Sequence, residues 1–170
     1  MKSKILTALL ASASLFAGQV ENTERDEMIV VGYEAHTSHI PGITEIDIAT
    51  MWQNFYKEDI LNKIQNKANN KMVAIYHDYQ DDQSYQLLIG CEVESVDDLP
   101  EGLVARTFPK SEYATFEVEG EFPKELINTW AGIWSDEDLI AKRSYTADFE
   151  EYALTFTPGQ DRLKVFISIH

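Results

Sequence analysis

The stretch "ADFEEYALTF", residues 147–156, places two carboxylates at the head of an apolar, aromatic segment. Read as a β-strand, it alternates faces, so Glu150, Tyr152, Leu154 and Phe156 share one side and Phe149, Glu151, Ala153 and Thr155 the other. A carboxylate facing an apolar cavity loses hydration, and its pKa rises unless donors or a cation compensate. Set among aromatic walls, such a group selects flat, amphipathic, positively charged molecules, because ring faces also attract cations. The same carboxylate could serve as a general acid or base. The competing reading leaves Glu150 at a water-exposed strand end. Glu151, on the other face, reads as exposed.

The aromatic residues available as walls fall into two groups. Trp52, Phe55, Trp130 and Trp134 lie in helical patterns, and Tyr76, Tyr79, Tyr85, Tyr113 and Tyr152 in strand patterns. Ordinary core packing accounts for most residues of this kind, and those left at a cleft become its lining. Other chemistries lack a pattern. "HTSH", with His36 and His39, and His77 beside Asp78 offer no third and fourth ligand at metal-binding spacing. No Ser-His-Asp or Cys-His arrangement and no glycine-rich phosphate loop is legible. The single cysteine, Cys91, sits in the apolar "LLIGCEVES" and reads as a buried core residue. The expectation is no metal, no cofactor and no catalytic residue, with Glu150 the candidate if the protein is an enzyme.

The elements that must position these residues run in a repeated order. "MIVVGYEAHTS" reads as a strand and is followed by a turn at Pro41 and Gly42. "EIDIATMWQNFYKEDILNKIQNKANN" carries Ile48, Met51, Trp52, Phe55, Ile60 and Ile64 at three- and four-residue spacing, a helix with one buried stripe that "NKANN" ends. "MVAIYHDY" and "YQLLIGCEVE" are strands around the turn "QDDQS".

The second half repeats this. "LVARTFPKSEYATFEVEGE" is a strand region interrupted by Pro109. "FPKELINTWAGIW" is a helix with Leu126, Ile127, Trp130, Ile133 and Trp134 on one face and Pro123 near its first turn. "DFEEYALTF" and "RLKVFISIH" are strands around "TPGQD". The predicted fold class is α+β: tandem strand-helix-strand-strand repeats, residues 28–95 and 102–170, forming one antiparallel sheet with two helices on one face. "VDDLPEGL", residues 96–103, links the halves, and residues 19–27 form an acidic linker ahead of them. The pseudo-two-fold seam is where a concave pocket is easiest to make.

At 170 residues and 44% hydrophobic, the chain can fill one core or two halves that share one. Its 29 acidic against 14 basic residues give a formal charge of -15. That charge repels phosphate backbones, and no basic stripe overturns it, so direct nucleic-acid binding is not expected. Residues 1–18 carry Lys2 and Lys4, then an apolar run from Ile5 to Phe16, then small residues. This is the layout of a secretory signal peptide, too short to span a bilayer. An uncleaved amphipathic or linker segment is the alternative. Cleavage implies an exported or periplasmic protein, and retention a cytoplasmic one. No lipid-anchoring cysteine lies in this segment, so no membrane anchor is expected. The expected state is a monomer or weak dimer.

Taken in order, "MIVVGYEAHTS", the Trp52 helix, "YHDY" leading into "YQLLIGCEV", "FPKSEYATFEVEGEFPKELINTWAGIW", "DFEEY" and the closing "VFISIH" resemble the GyrI-like effector-binding domains. These are also known as AraC-type or integron-cassette small-molecule-binding domains. The resemblance covers residues 28–170. It implies a ligand cleft at the seam, where aromatic residues and a buried glutamate receive hydrophobic, often cationic, compounds. Carried onto this chain, it makes Glu150 the acidic partner and Trp130, Tyr152 and Tyr113 the walls, with Trp52 and Tyr76 as their first-half counterparts. The function it implies is a stand-alone binder of small amphipathic or cationic aromatic molecules. Two alternatives stand beside it: a hydrolase of reactive electrophiles using the same glutamate, and a protein-interaction module that modulates transcription or gyrase.

Overall fold

Residues 20–170 are described by a computed structural model; the leader expected at residues 1–18 lies outside the described residues. The chain runs β1 (Glu21–Arg25), β2 (Met28–Ser38), α1 (Thr44–Lys57), α2 (Ile60–Lys63), β3 (Lys71–His77) and β4 (Ser84–Val93). It continues as β5 (Val104–Phe108), β6 (Ser111–Val118), α3 (Lys124–Ser135), α4 (Glu137–Lys142), β7 (Ala147–Ala153) and β8 (Leu163–Ile169). Among the described residues no helix is long and apolar enough to cross a membrane.

The eight strands of the described residues join one antiparallel sheet in the order β1-β6-β8-β7-β3-β4-β2-β5. Exchanging β1 with β5, β2 with β6, β3 with β7 and β4 with β8 reverses this order onto itself. The two halves are therefore related by a pseudo-two-fold axis through the β3–β7 pair. The α+β class and the tandem repeat agree with the sequence reading. Residues 21–25, expected as linker, instead form β1, which pairs with β6 of the second half. In the mirror arrangement, β5 pairs with β2 of the first half. Residues 96–103 carry no strand or helix.

The long first helix is shorter than its apolar spacing suggests. It stops at Lys57; Asp59 adopts φ 52°, in the left-handed region, and only the single turn α2 follows. The second helix is followed by α4, whose start is fixed by Asp136 accepting from the Leu139 backbone N–H at 3.0 Å. Among the described residues there are thus four helices rather than two. Of the expected second stripe, Trp130 and Ile133 are buried, while Ile127 and Trp134 are more than half exposed.

Alternation along the strands divides the apolar residues between two faces. Met72, Ala74 and Tyr76 of β3 face the helices, in one core with Met51, Phe55, Trp130, Ile133 and Leu139. Val73 and Ile75 face the other way, into a second cluster with Val30, Leu88, Phe149 and Phe166 that includes no helical residue. Curvature of the sheet closes that second cluster. Arg25 on edge strand β1 reaches Glu151 of β7 at 3.1 Å and Glu92 of β4 at 3.6 Å, with its guanidinium over the Phe149 and Phe166 rings.

Gly32 of β2 and Gly90 of β4 lie directly opposite each other. A Cβ on Gly90 would lie 2.1 Å from the Val31 carbonyl oxygen, and one on Gly32 2.2 Å from that of Ile89. The backbones approach so closely that no side chain fits. We expect Gly90→Ala to lose about 1–3 kcal/mol in urea unfolding, the cost of overpacking a rigid contact; an unchanged midpoint would contradict this geometry.

Candidate functional site

The β3–β7 ladder runs from Lys71 opposite Ala153 to His77 opposite Ala147, with Ala74 opposite Glu150 at its midpoint. Glu150 thus sits on the pseudo-two-fold axis, facing the helices, and is 2% exposed. Ala74 contributes only a methyl group at the related position. Two residues further along each strand come Tyr76 and Tyr152, and both donate to the carboxylate. The Tyr76 hydroxyl reaches Oε1 at 2.9 Å and the Tyr152 hydroxyl Oε2 at 2.6 Å. Trp130, on the buried stripe of α3, donates Nε1–H to Oε1 at 2.7 Å. From α1, Trp52 packs edge-on against Tyr152, ring centroids 5.3 Å apart.

All three hydrogen-bond donors are neutral. Among the described residues no Lys, Arg or His bonds to Glu150. Burial pushes its pKa up, and the bonds from Tyr152, Trp130 and Tyr76 pull it back only in part. The magnitudes explain why neither side wins easily: hydrogen bonds to a charged group contribute roughly 1.5–3 kcal/mol each, against several kcal/mol for dehydrating the ion. Their own burial, and after it the neighbouring carboxylate, in turn hold the Tyr76 and Tyr152 hydroxyls protonated.

Beside this acid lies a cavity of ≈ 70 Å³ lined by His39, Thr44, Ile48, Tyr76, Tyr79, Tyr85, Trp130, Trp134 and Arg143. It has room for a few waters. Drug-sized ligands fill pockets of about 300–1,000 Å³, so admitting one requires lining side chains to move. His39 and half-exposed Trp134 meet edge to face, ring centroids 6.0 Å apart. Glu150 stands behind this surface, linked to it through the Tyr76 and Trp130 donors.

A second buried carboxylate, Asp148, shares the face of Glu150 and is fully buried. Its Oδ2 accepts from Arg143 Nη2 and from the Tyr79 hydroxyl, the latter at 2.6 Å. Its Oδ1 accepts from the Ser168 backbone N–H at 2.8 Å and hydroxyl at 3.2 Å. The Arg143 guanidinium carbon lies 4.2 Å from the Tyr145 ring centroid. His39 is held toward its neutral form by burial and by the nearby Arg143 charge.

Glu150, Trp130, Tyr152, Tyr76 and Trp52 are brought together. Tyr113 is not. It lies on the helix-free face, packed against Phe149 at 5.2 Å and Phe166 at 6.0 Å, because its strand register puts Ala114 and Phe116 toward the helices. Tyr85 and Tyr79 line the cavity, and Tyr113 does not. Of the other histidines, His36 is exposed and His77 contacts Glu34 at 2.9 Å, away from the cavity lining. Asp148, Arg143 and His39 were absent from the sequence-based site. Extending the alternation of Glu150 and Tyr152 two residues back would have pointed to Asp148.

Because the folded protein holds the Glu150 proton more tightly than the unfolded chain, the stability from this group is complete below the ordinary carboxyl range. It is lost as pH rises through the raised value. The stability of Glu150→Gln relative to wild type should therefore increase with pH across that window in thermal melts. Tyr152→Phe, which removes a compensating donor, should move the window upward; a pH-independent difference would contradict the assignment.

A family model for integron-associated effector binding protein matches residues 23–169. No curated protein matches the chain. Among solved structures, a protein bound to tetraphenylphosphonium is similar with a TM-score of 0.78 and 16% identity, covering 90% of this chain and 94% of that one. An integron cassette protein from the mobile metagenome of Vibrio cholerae gives 0.69 and 23%, covering 89% and 95%. The EcmrR–DNA complex gives 0.58 and 14%, covering 89% of this chain and 57% of that chain. At these identities the structures show a shared fold, and the family match extends over nearly all the described residues: the chain belongs to the integron-associated effector-binding proteins.

Proposed function

We propose that this protein captures small amphipathic, cationic, aromatic molecules at the seam, with Glu150 supplying the negative charge and Tyr76, Tyr85, Trp130 and Trp134 the walls. One observation carries the reading: a buried carboxylate is solvated only by neutral donors, and two of those donors line the adjacent cavity. Donation toward Glu150 leaves their ring faces electron-rich, and a cation placed on them feels the carboxylate across a medium of low dielectric. The bound cation then supplies the counter-charge that the fold itself withholds. The relative solved with tetraphenylphosphonium bound supports this ligand class. The hydrolase and protein-interaction readings draw on no separate observation.

Titration with tetraphenylphosphonium, followed by tryptophan fluorescence or calorimetry, tests the proposal. Glu150→Gln should weaken binding about 10- to 100-fold, or roughly 1.4–2.8 kcal/mol. Wild-type affinity should also fall as pH drops through the raised Glu150 pKa, because protonation removes the charge. Equal affinity of both proteins across pH would remove the acid from the account.

A further inference from the structure

The cavity is lined by two residues that hold Glu150, Tyr76 and Trp130, and by two that hold Asp148, Tyr79 and Arg143. The second pair differs from the first in offering a cation. Arg143 is nine-tenths buried and its Nη2 is held by Asp148, yet among the described residues its buried Nε has no hydrogen-bond partner. Asp148 has nothing left to give it: four donors already occupy its two oxygens. Arg143 lines the cavity, while its Nε lies just behind the surface; once the lining side chains move to admit a ligand, this unpaired N–H is a donor awaiting an acceptor.

We propose that Arg143 is a second recognition point of this cavity, for an acceptor oxygen, so that the preferred ligand is an aromatic cation carrying a carboxylate or carbonyl away from its cationic centre. The inference rests on the cation reading and narrows it. Tyr76 and Trp130 take the positive ring system, and Arg143 takes the oxygen. The Arg143–Asp148 pairing keeps the second carboxylate from competing for the ligand's positive charge. A purely lipophilic cation leaves the Nε–H unpaired, and a site that offers a buried donor discriminates against such a ligand.

A matched dye pair tests it: a rhodamine bearing a carboxyphenyl group, and the rosamine with the same xanthylium core and a plain phenyl ring. Wild-type protein should bind the rhodamine at least about 10-fold more tightly. The Arg143→Met, Asp148→Asn double variant, which leaves no lone buried charge, should bring the ratio of the two affinities close to one. In wild type, the Arg143 Nε–H resonance should shift downfield with the rhodamine and not with the rosamine, a readout independent of how the variant folds. A wild-type ratio near one, a ratio preserved in the variant, or an unmoved Nε–H resonance overturns the inference. Rosamine binding that still depends on Glu150 would then leave the cation reading standing. Failure of both dyes to bind wild type would remove both proposals together.

Discussion

Glu150 stands at the midpoint of the ladder that joins the two half-domains, so a desolvated charge and the central pairing of the sheet occupy the same place. Much of the surrounding structure answers to that constraint. The facing residue is small, as Ala74 is. The donors must reach a carboxylate without supplying a charge, which suits a phenol or an indole better than an amine. They must also come from both halves and from a helix, as Tyr76, Tyr152 and Trp130 do. The apolar bodies of these residues fill the core, and their polar tips converge on one point.

The scaffold is nearly symmetric and the chemistry on it is not. Asp148 and Glu150 are two residues apart on the same face of β7, both shut away from water. Two bare carboxylates so placed would repel each other strongly in a medium of low dielectric. Arg143 neutralises the first, which is thereby fixed behind the cavity lining that Arg143 and Tyr79 present. The second is left with neutral partners, and its protonation remains sensitive to pH and to whatever enters the cavity. One strand thus carries a settled ion pair and an unsettled acid side by side.

Period-two alternation made Glu150 and Tyr152 legible in the sequence, and the internal repeat led from Tyr152 to Tyr76. Other features had no local signal. β1 is an exposed edge strand with polar side chains on both faces, so "ENTER" shows no apolar alternation. The first helix ends at "YKED" without glycine or proline, and its apolar spacing continues past the break into the separate single turn α2. Tyr113 is as aromatic and as buried as Tyr85, which lines the cavity; only the pairing of β6 with β1 and β8 decides which face it takes. Asp148 has no local signal because its partner Arg143 caps α4 and bridges to Ile169, a position set by a helix too short for periodicity to reveal.

The exchange of β1 and β5 between the halves has a consequence for how such a molecule can be built and divided. Each repeat carries at its start a strand that completes the other repeat's sheet, so neither is a detachable module, although the order of elements is duplicated. Glu21 finds Thr115 only after most of the chain has been made. Closure therefore waits on contacts distant in sequence, a topology that folds late and as one unit. Residues 96–103 look like a hinge between two domains, but the crossing strands lace the halves together on either side of it.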